Sequence, residues 1–270
     1  YGQYLASGMT WKDVAANTWA ELELNGWREV YEGGVTEWVP GGRYYLTGQP
    51  TVDGLSASFK AQDALSGLDG TYYKGVYAPA GRSLYQLALD VLEDSGLAPF
   101  SGTAPPWKLW GGLVDFMTTA PLPMKKHKEL LQLIAHAACC VLYTDREGYI
   151  RIEPANDVQD NFKLDFHTML ARPKVSQIPT LWAVECPAYT YAPEAEASEL
   201  HKESYAVNGT LELHLTFSQA ADVTVDVTGA TVAAKAVFAG AVDLTLAGNG
   251  EAVVTVTGRK LESSARTVTA

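Results

Sequence analysis

The sequence predicts a β-rich α+β chain: small antiparallel β-barrel or sandwich domains flanking an α/β segment with two helices and a hairpin. Three observations predict it. The stretch 205–257 holds only six charged residues against 18 Val and Thr, and Val223, Val225 and Val227 alternate there with Thr224 and Asp226, the period of a half-buried strand. Two segments, near 84–92 and 126–142, keep a 3.6-residue apolar period instead. Turn residues (Thr228-Gly229, Ala239-Gly240, Gly248-Asn249-Gly250) recur at about ten-residue spacing, as in antiparallel β modules.

Each element follows from local chemistry. Residues 1–35 form an N-terminal segment with a short repeat, Thr10-Trp11, Thr18-Trp19 and Gly26-Trp27, whose tryptophans are expected to pack on the following sheet. Residues 36–80 read as a first β domain. Its strands Thr36–Val39 and Arg43–Thr47 are separated by a turn at Pro40-Gly41-Gly42, and Leu55–Lys60 alternates apolar with polar after the turn Asp53-Gly54. Residues 81–153 read as the α/β segment. Ser83 is the expected cap of a helix with Leu84, Leu87, Ala88, Val91 and Leu92 on its buried stripe, ending at Gly96. The second helix is expected over 126–142, burying Leu130, Leu131, Ile134, Ala135 and Ala138. A turn Asp145-Arg146-Glu147-Gly148 then leads into a strand at Tyr149–Glu153, with Gly148 supplying the left-handed position. Residues 154–270 read as a C-terminal β domain.

Composition narrows the function classes. A chain of 270 residues with 47% hydrophobic and 19% charged residues is globular, not largely disordered. No apolar run approaches the ~20 residues of a membrane helix, and the N-terminal residues lack the basic and apolar regions of a signal peptide. Twenty Lys and Arg against 31 Asp and Glu give a net charge of -11, which opposes phosphate binding and hence specific nucleic-acid recognition. Three cysteines, at 139, 140 and 186, form neither a disulfide framework nor a metal set, so reduced thiols and folding in a cytoplasm are expected.

Motifs for chemistry are sparse. The sequence carries no phosphate-binding glycine loop, HExxH, GxSxG or EF-hand pattern, so no catalytic residue, metal or cofactor is assigned and a non-enzyme is expected. Asp165 and His167 share a strand face, as a catalytic or metal pair does and as an ordinary surface pair does. Cys139 and Cys140 fall inside the expected second helix as small buried hydrophobes. Lys125-Lys126-His127-Lys128 reads as a solvated face or as a dock for an acidic neighbour. Trp107 and Trp110 are the candidate glycan or partner contacts; the same rings can equally fold back over the core. The strand residues Val223, Val225, Val227, Val254 and Val256 are the candidate assembly contacts.

Longer stretches carry a resemblance. The segment Ala57-Ser58-Phe59-Lys60-Ala61-Gln62-Asp63-Ala64-Leu65 followed by Gly81-Arg82-Ser83-Leu84-Tyr85-Gln86-Leu87-Ala88 resembles tail proteins of bacteriophages and prophages. So does Glu129-Leu130-Leu131-Gln132-Leu133-Ile134-Ala135 leading to Tyr143-Thr144-Asp145-Arg146-Glu147-Gly148-Tyr149-Ile150-Arg151-Ile152, a helix feeding a D-x-x-G-hydrophobic-x-hydrophobic hairpin. The run Glu251-Ala252-Val253-Val254-Thr255-Val256-Thr257-Gly258-Arg259 is similar to the last strand of a hub's tube-docking β domain. The resemblance implies a virion structural protein of the tail tip or baseplate. It would be a homo-oligomer, usually a trimer, that contacts the tail tube and neighbouring baseplate proteins, with no membrane anchor and a negative lumen through which DNA slides. The alternatives are a receptor- or glycan-binding tail appendage and a tail-attached cell-wall hydrolase.

Overall fold

The computed structural model describes residues 23–32, 35–47, 51–53, 56–99, 104–154 and 185–269. The chain divides into two compact units. The first comprises Tyr1–Tyr73, Gly81–Thr118 and Leu122–Ala155, the second Lys74–Ala80, Thr119–Pro121 and Asn156–Ala270. The described residues are mostly strand, with two α-helices, so the chain is a β-rich α+β protein.

The strands of the first unit are β1 (Glu23–Glu32), β2 (Val35–Leu46), β3 (Thr51–Asp53), β4 (Ser56–Ser58), β5 (Ala61–Gln62), β6 (Thr71–Tyr72) and β7 (Arg82–Ser83). Helix α1 (Leu84–Asp94) follows, then β8 (Trp107–Leu109), β9 (Met117–Thr118) and β10 (Lys125–Lys126), helix α2 (His127–Ala137), β11 (Cys140–Thr144) and β12 (Ile150–Pro154). Helix α1 starts as expected. Ser83 accepts from the Gln86 N–H at 3.2 Å while the Gln86 side chain accepts from the Ser83 N–H at 3.3 Å, a reciprocal cap. The five expected stripe residues of α1 are all buried, and they meet Leu130, Leu131, Ile134 and Ala135 of α2 in one core with Ile150 and Ile152.

Two expectations for this unit change. Pro40-Gly41-Gly42 makes no turn: β2 runs through it, antiparallel to β1, with Gly26 opposite Gly42 and Trp27 opposite Pro40. Gly41 is the extra residue of a bulge, which accommodates a proline that cannot donate to the ladder. The second helix also stops early, at Ala137. Ala138 closes it, Cys139 takes a left-handed φ of 54° and is exposed, and Cys140 begins β11 with its side chain buried. In the run Val141-Leu142-Tyr143-Thr144, Val and Thr are β-branched and Tyr is aromatic, and pairing with β12 draws the run out of the helix.

The second unit holds β13 (Glu185–Pro193), β14 (Ser198–Thr216), β15 (Ala220–Thr228), β16 (Thr231–Val237) and β17 (Ala241–Thr269). Strand β14 pairs with β17 from Ser198–Gly258 to Thr216–Ala241. Four residues beyond Thr216, Ala220 pairs with Lys260 at the other end of that stretch. A straight strand would hold those ends about 60 Å apart, so the ribbon doubles back on itself. The Ala220 N–H reaches the Ala239 carbonyl at 2.8 Å and the Leu261 N–H reaches the Gln219 carbonyl at 2.9 Å, closing the return. The corner lies where Asn208-Gly209 faces Gly248-Asn249, and the Asn249 side chain accepts from the Gly209 N–H at 3.1 Å. The expected turn at Gly248–Gly250 is therefore a bend inside a continuous ladder. Strand β16 lines the half of β17 before the corner and β15 the half after it. Both halves feed one core, centred on Val242, Leu244, Leu246, Val254 and Val256. No closed barrel forms among the described residues.

Candidate functional site

The first candidate surface is the hairpin of β11 and β12 with β8 beside it. Its turn is organised by Asp145: one carboxylate oxygen accepts the N–H groups of Glu147 at 3.0 Å and Tyr149 at 2.9 Å, and the other accepts Arg151 Nε at 2.6 Å. Gly148 has the expected positive φ, 89°. On the face away from the core, Arg151 also donates to Glu153 at 2.6 Å, and the Tyr143 hydroxyl donates to Glu153 at 2.7 Å. Hydrogen bonds from Tyr143 and then Arg151 hold the Glu153 carboxyl below its ordinary value, against a partial loss of hydration. The bonds to Asp145 and Glu153 raise Arg151 further above its already high value. Lys108 spans the same face, 3.0 Å from Glu147 and 3.7 Å from the centre of the Tyr149 ring. Lys108, Asp145, Glu147, Arg151 and Glu153 are each paired with a neighbour, which holds this surface rigid.

The two tryptophans sit at the edge of this surface. Both are half-buried against the core of the unit. The Trp110 ring covers Gly112, where a Cβ would come within 2.3 Å of it, and lies 6.4 Å from Phe116. The Trp110 ring is thus engaged by Gly112 and Phe116.

The basic run contributes a buried polar pair. Lys125 and Lys126 are exposed and paired, with Glu129 at 3.7 Å and Asp69 at 3.2 Å. His127 instead turns inward, 5% exposed, with Nε2 2.9 Å from Asp94 Oδ2 at the end of α1. Its Nδ1 is buried without a partner among the described residues. Gly70 is held against the ring, since a Cβ there would meet His127 Cε1 at 2.8 Å. The Tyr72 ring stands edge-on to it at 6.3 Å, and burial followed by the Asp90 charge pushes the Tyr72 hydroxyl up to about 12. The pair joins residues 33 positions apart, so no local spacing announces it.

In the second unit, Val254 and Val256 are fully buried in the chain's own core, and Val223, Val225 and Val227 pack on it half-buried. These side chains pack within the chain's own core, and the strand edges beside them are a separate surface. Those edges are modified. Opposed residues of an antiparallel pair share a face, so His201, Glu203 and Tyr205 on β14, opposite the buried Val256, Val254 and Ala252, sit on the core-facing side. They bond in a row: the Tyr205 hydroxyl donates to Glu203 at 2.8 Å and lies 3.1 Å from His201 Nε2. Lys235 on β16 likewise shares its face with the buried Leu244. Strand β15 is bulged at Asp222, whose φ is 52° and whose carboxylate is held by Arg259. Inward charges and bulges are how sheet edges resist foreign strands.

A groove of about 380 Å³ crosses the outer side of this sheet, lined by Glu212, His214, Ala234, Ala236, Asp243 and Thr245. His214 Nδ1 lies 2.6 Å from Asp243. Among the described residues no three His, Cys, Asp or Glu side chains come together as a metal site. Asp165 and His167 lie outside the described residues. Comparisons with protein-family models, with curated proteins and with solved structures find no match to this chain.

Proposed function

We propose that the chain is a structural component of a bacteriophage tail tip or baseplate. In this reading it is a hub-like homo-oligomer, a trimer, that contacts the tail tube and organises neighbouring tail proteins. The doubled sheet of the second unit acts as a small β-sandwich docking domain, and the α/β unit presents the Asp145 hairpin. The observation that carries the reading is the end of β17. From Glu262 to Thr267 it runs beyond the doubled core, exposed throughout, and among the described residues β13 alone lies beside it. A two-stranded ribbon is marginal in water by itself, so a part built this way is one that neighbours complete. The net charge of -11 supports a lumen that repels DNA and lets it slide.

Affinity labels on the chain in intact tails, viewed by electron microscopy, test the proposal together with the mass of the complex released from them. Density at the tube-proximal end of the tip, in a ring of three, is the expected result. Single unringed copies at the tail periphery would overturn the hub assignment and favour a receptor- or glycan-binding appendage. The absence of the chain from purified tails would remove the tail reading altogether.

A further inference from the structure

We infer that the end of β17 pairs with the same segment of a second copy of the chain, antiparallel, about a twofold axis through Ser264. This goes beyond the tail-tip reading, because a twofold contact makes pairs and cannot close a threefold ring.

The backbone shows which edge is available. The Lys260 carbonyl accepts the Glu194 N–H at 2.8 Å, in line with the register of β13 against β17, whereas the Leu261 N–H points the other way, to Gln219 at 2.9 Å. Backbone groups alternate sides along a strand, so Ser264 and Arg266 face β13 while Ser263, Ala265 and Thr267 direct their N–H and C=O groups to the opposite edge. Strand β15 covers that edge only as far as Lys260. The ladder with β13 has no bulge over its length. Among the described residues no bulge or covering strand protects this edge, and the residues Glu262–Thr267 are exposed.

The side chains choose the occupant. Glu262 and Arg266 are the only charges from Leu261 to Thr269, and they cancel, so a second copy can approach this segment although the molecule as a whole is strongly negative. The two lie about 13 Å apart along the strand and join no ion pair among the described residues. An antiparallel register centred on Ser264 sets Glu262 opposite the partner's Arg266 and Arg266 opposite the partner's Glu262. Ser263 then faces the partner's Ala265. The charged pairs fall at non-hydrogen-bonded positions, where Cα atoms are about 4.5 Å apart and side chains meet most closely. In-register parallel pairing would instead set Glu262 against the partner's Glu262. The charge pattern therefore specifies both partner and direction, and gives a four-stranded sheet β13-β17-β17-β13.

Sedimentation of the full chain over a concentration series tests this, with Arg266→Glu, Glu262→Arg and the double reversal compared. Each single reversal should weaken self-association at least about tenfold, and the double reversal should restore it. Ser264→Cys should give a disulfide-linked dimer on mild oxidation, mapped to position 264 by peptide mass, above the background set by the exposed Cys139 of the unaltered chain. A double reversal no better than the singles overturns the register. Self-association indifferent to both reversals assigns the contact to another surface, and a chain that stays monomeric with no 264–264 link overturns the pairing outright. Incorporation into tails is a separate readout: its loss in a chain that still dimerises strikes the tail reading and leaves this contact intact.

Discussion

Gly229 and Gly209 are matched in backbone conformation and opposite in surroundings, so comparing them isolates how the doubled sheet is held at its corner. Their φ values are 88° and 78°, and an alanine at either pays the left-handed cost of about 1–2 kcal/mol. Around Gly209 nothing lies within 4 Å of an added Cβ. At Gly229 the same atom would stand 2.2 Å from the Glu251 carbonyl oxygen and 3.2 Å from Ala252 Cα. Both obstacles are backbone in the middle of β17, so neither can swing aside. Moving them would part the β15–β16 turn from the corner and open the core beneath Ala252 and Val254, an overpacking cost of about 1–3 kcal/mol. Gly209→Ala should therefore lose about 1–2 kcal/mol, and Gly229→Ala about 2–5 kcal/mol. With about 4–8 °C per kcal/mol for units of this size, thermal unfolding followed by circular dichroism separates the two by roughly 10 °C. Equal losses in the two variants would mean that the turn does not rest on β17, and the account of the doubled ribbon would fall with it.

Three further outcomes are expected. Gly148→Val should destabilise the first unit by about 1 kcal/mol or more, because φ is 89° and the Arg43 Cβ lies 2.5 Å from an added Cβ; an unchanged urea midpoint would contradict the turn geometry. His127→Ala should cost about 2–4 kcal/mol through a lost buried ring and a broken bond to Asp94, while Lys128→Ala, one residue on, should stay within about 0.5 kcal/mol; equal effects would show that the imidazole is not anchored. The lowered Glu153 carboxyl contributes stability that is present above its ordinary pKa of about 4.3 and is lost as pH falls through the folded value. Glu153→Gln should accordingly flatten the acid limb of a stability–pH profile without steepening it elsewhere, and an unaltered acid limb would refute the contribution.

Local chemistry made the α/β unit readable. Ser83, the apolar stripe of α1, the stripe of α2 and Gly148 each act within a few residues, so periodicity and capping expose them. The misread places are those where a partner strand overrides local preference. Pro40-Gly41-Gly42 has the composition of a turn, yet pairing with β1 turns it into a bulge. Cys139 and Cys140 continue a helical pattern, yet the ladder with β12 ends the helix before them. Gly248-Asn249-Gly250 has turn composition too, but asparagine and glycine face it at Asn208-Gly209, and the two flexible sites bend together with the ladder unbroken. His127 was hidden for the converse reason. Its neighbours in sequence are lysines, and only the packing of α1 against α2 brings Asp94 to it.

The same distinction bears on how the chain can assemble. Strands rich in Val and Thr look from sequence like edges that must pair with copies of themselves. In the structure their valines face one another across the core, and their edges carry His201, Glu203, Lys235 and the Asp222 bulge on the positions that a foreign strand would need. Each device costs some stability, since polar side chains on a core-facing side bury less apolar area than valine would. Such a cost is understandable where an open edge would otherwise aggregate. Among the described residues the end of β17 has no bulge, and Glu262–Thr267 is exposed. Protection is thus selective: it covers the strands that complete the core and stops where the ribbon leaves it. The edge left open among the described residues is the one the proposed pairing uses, and the opposite charges at Glu262 and Arg266 fit it to a strand that answers them.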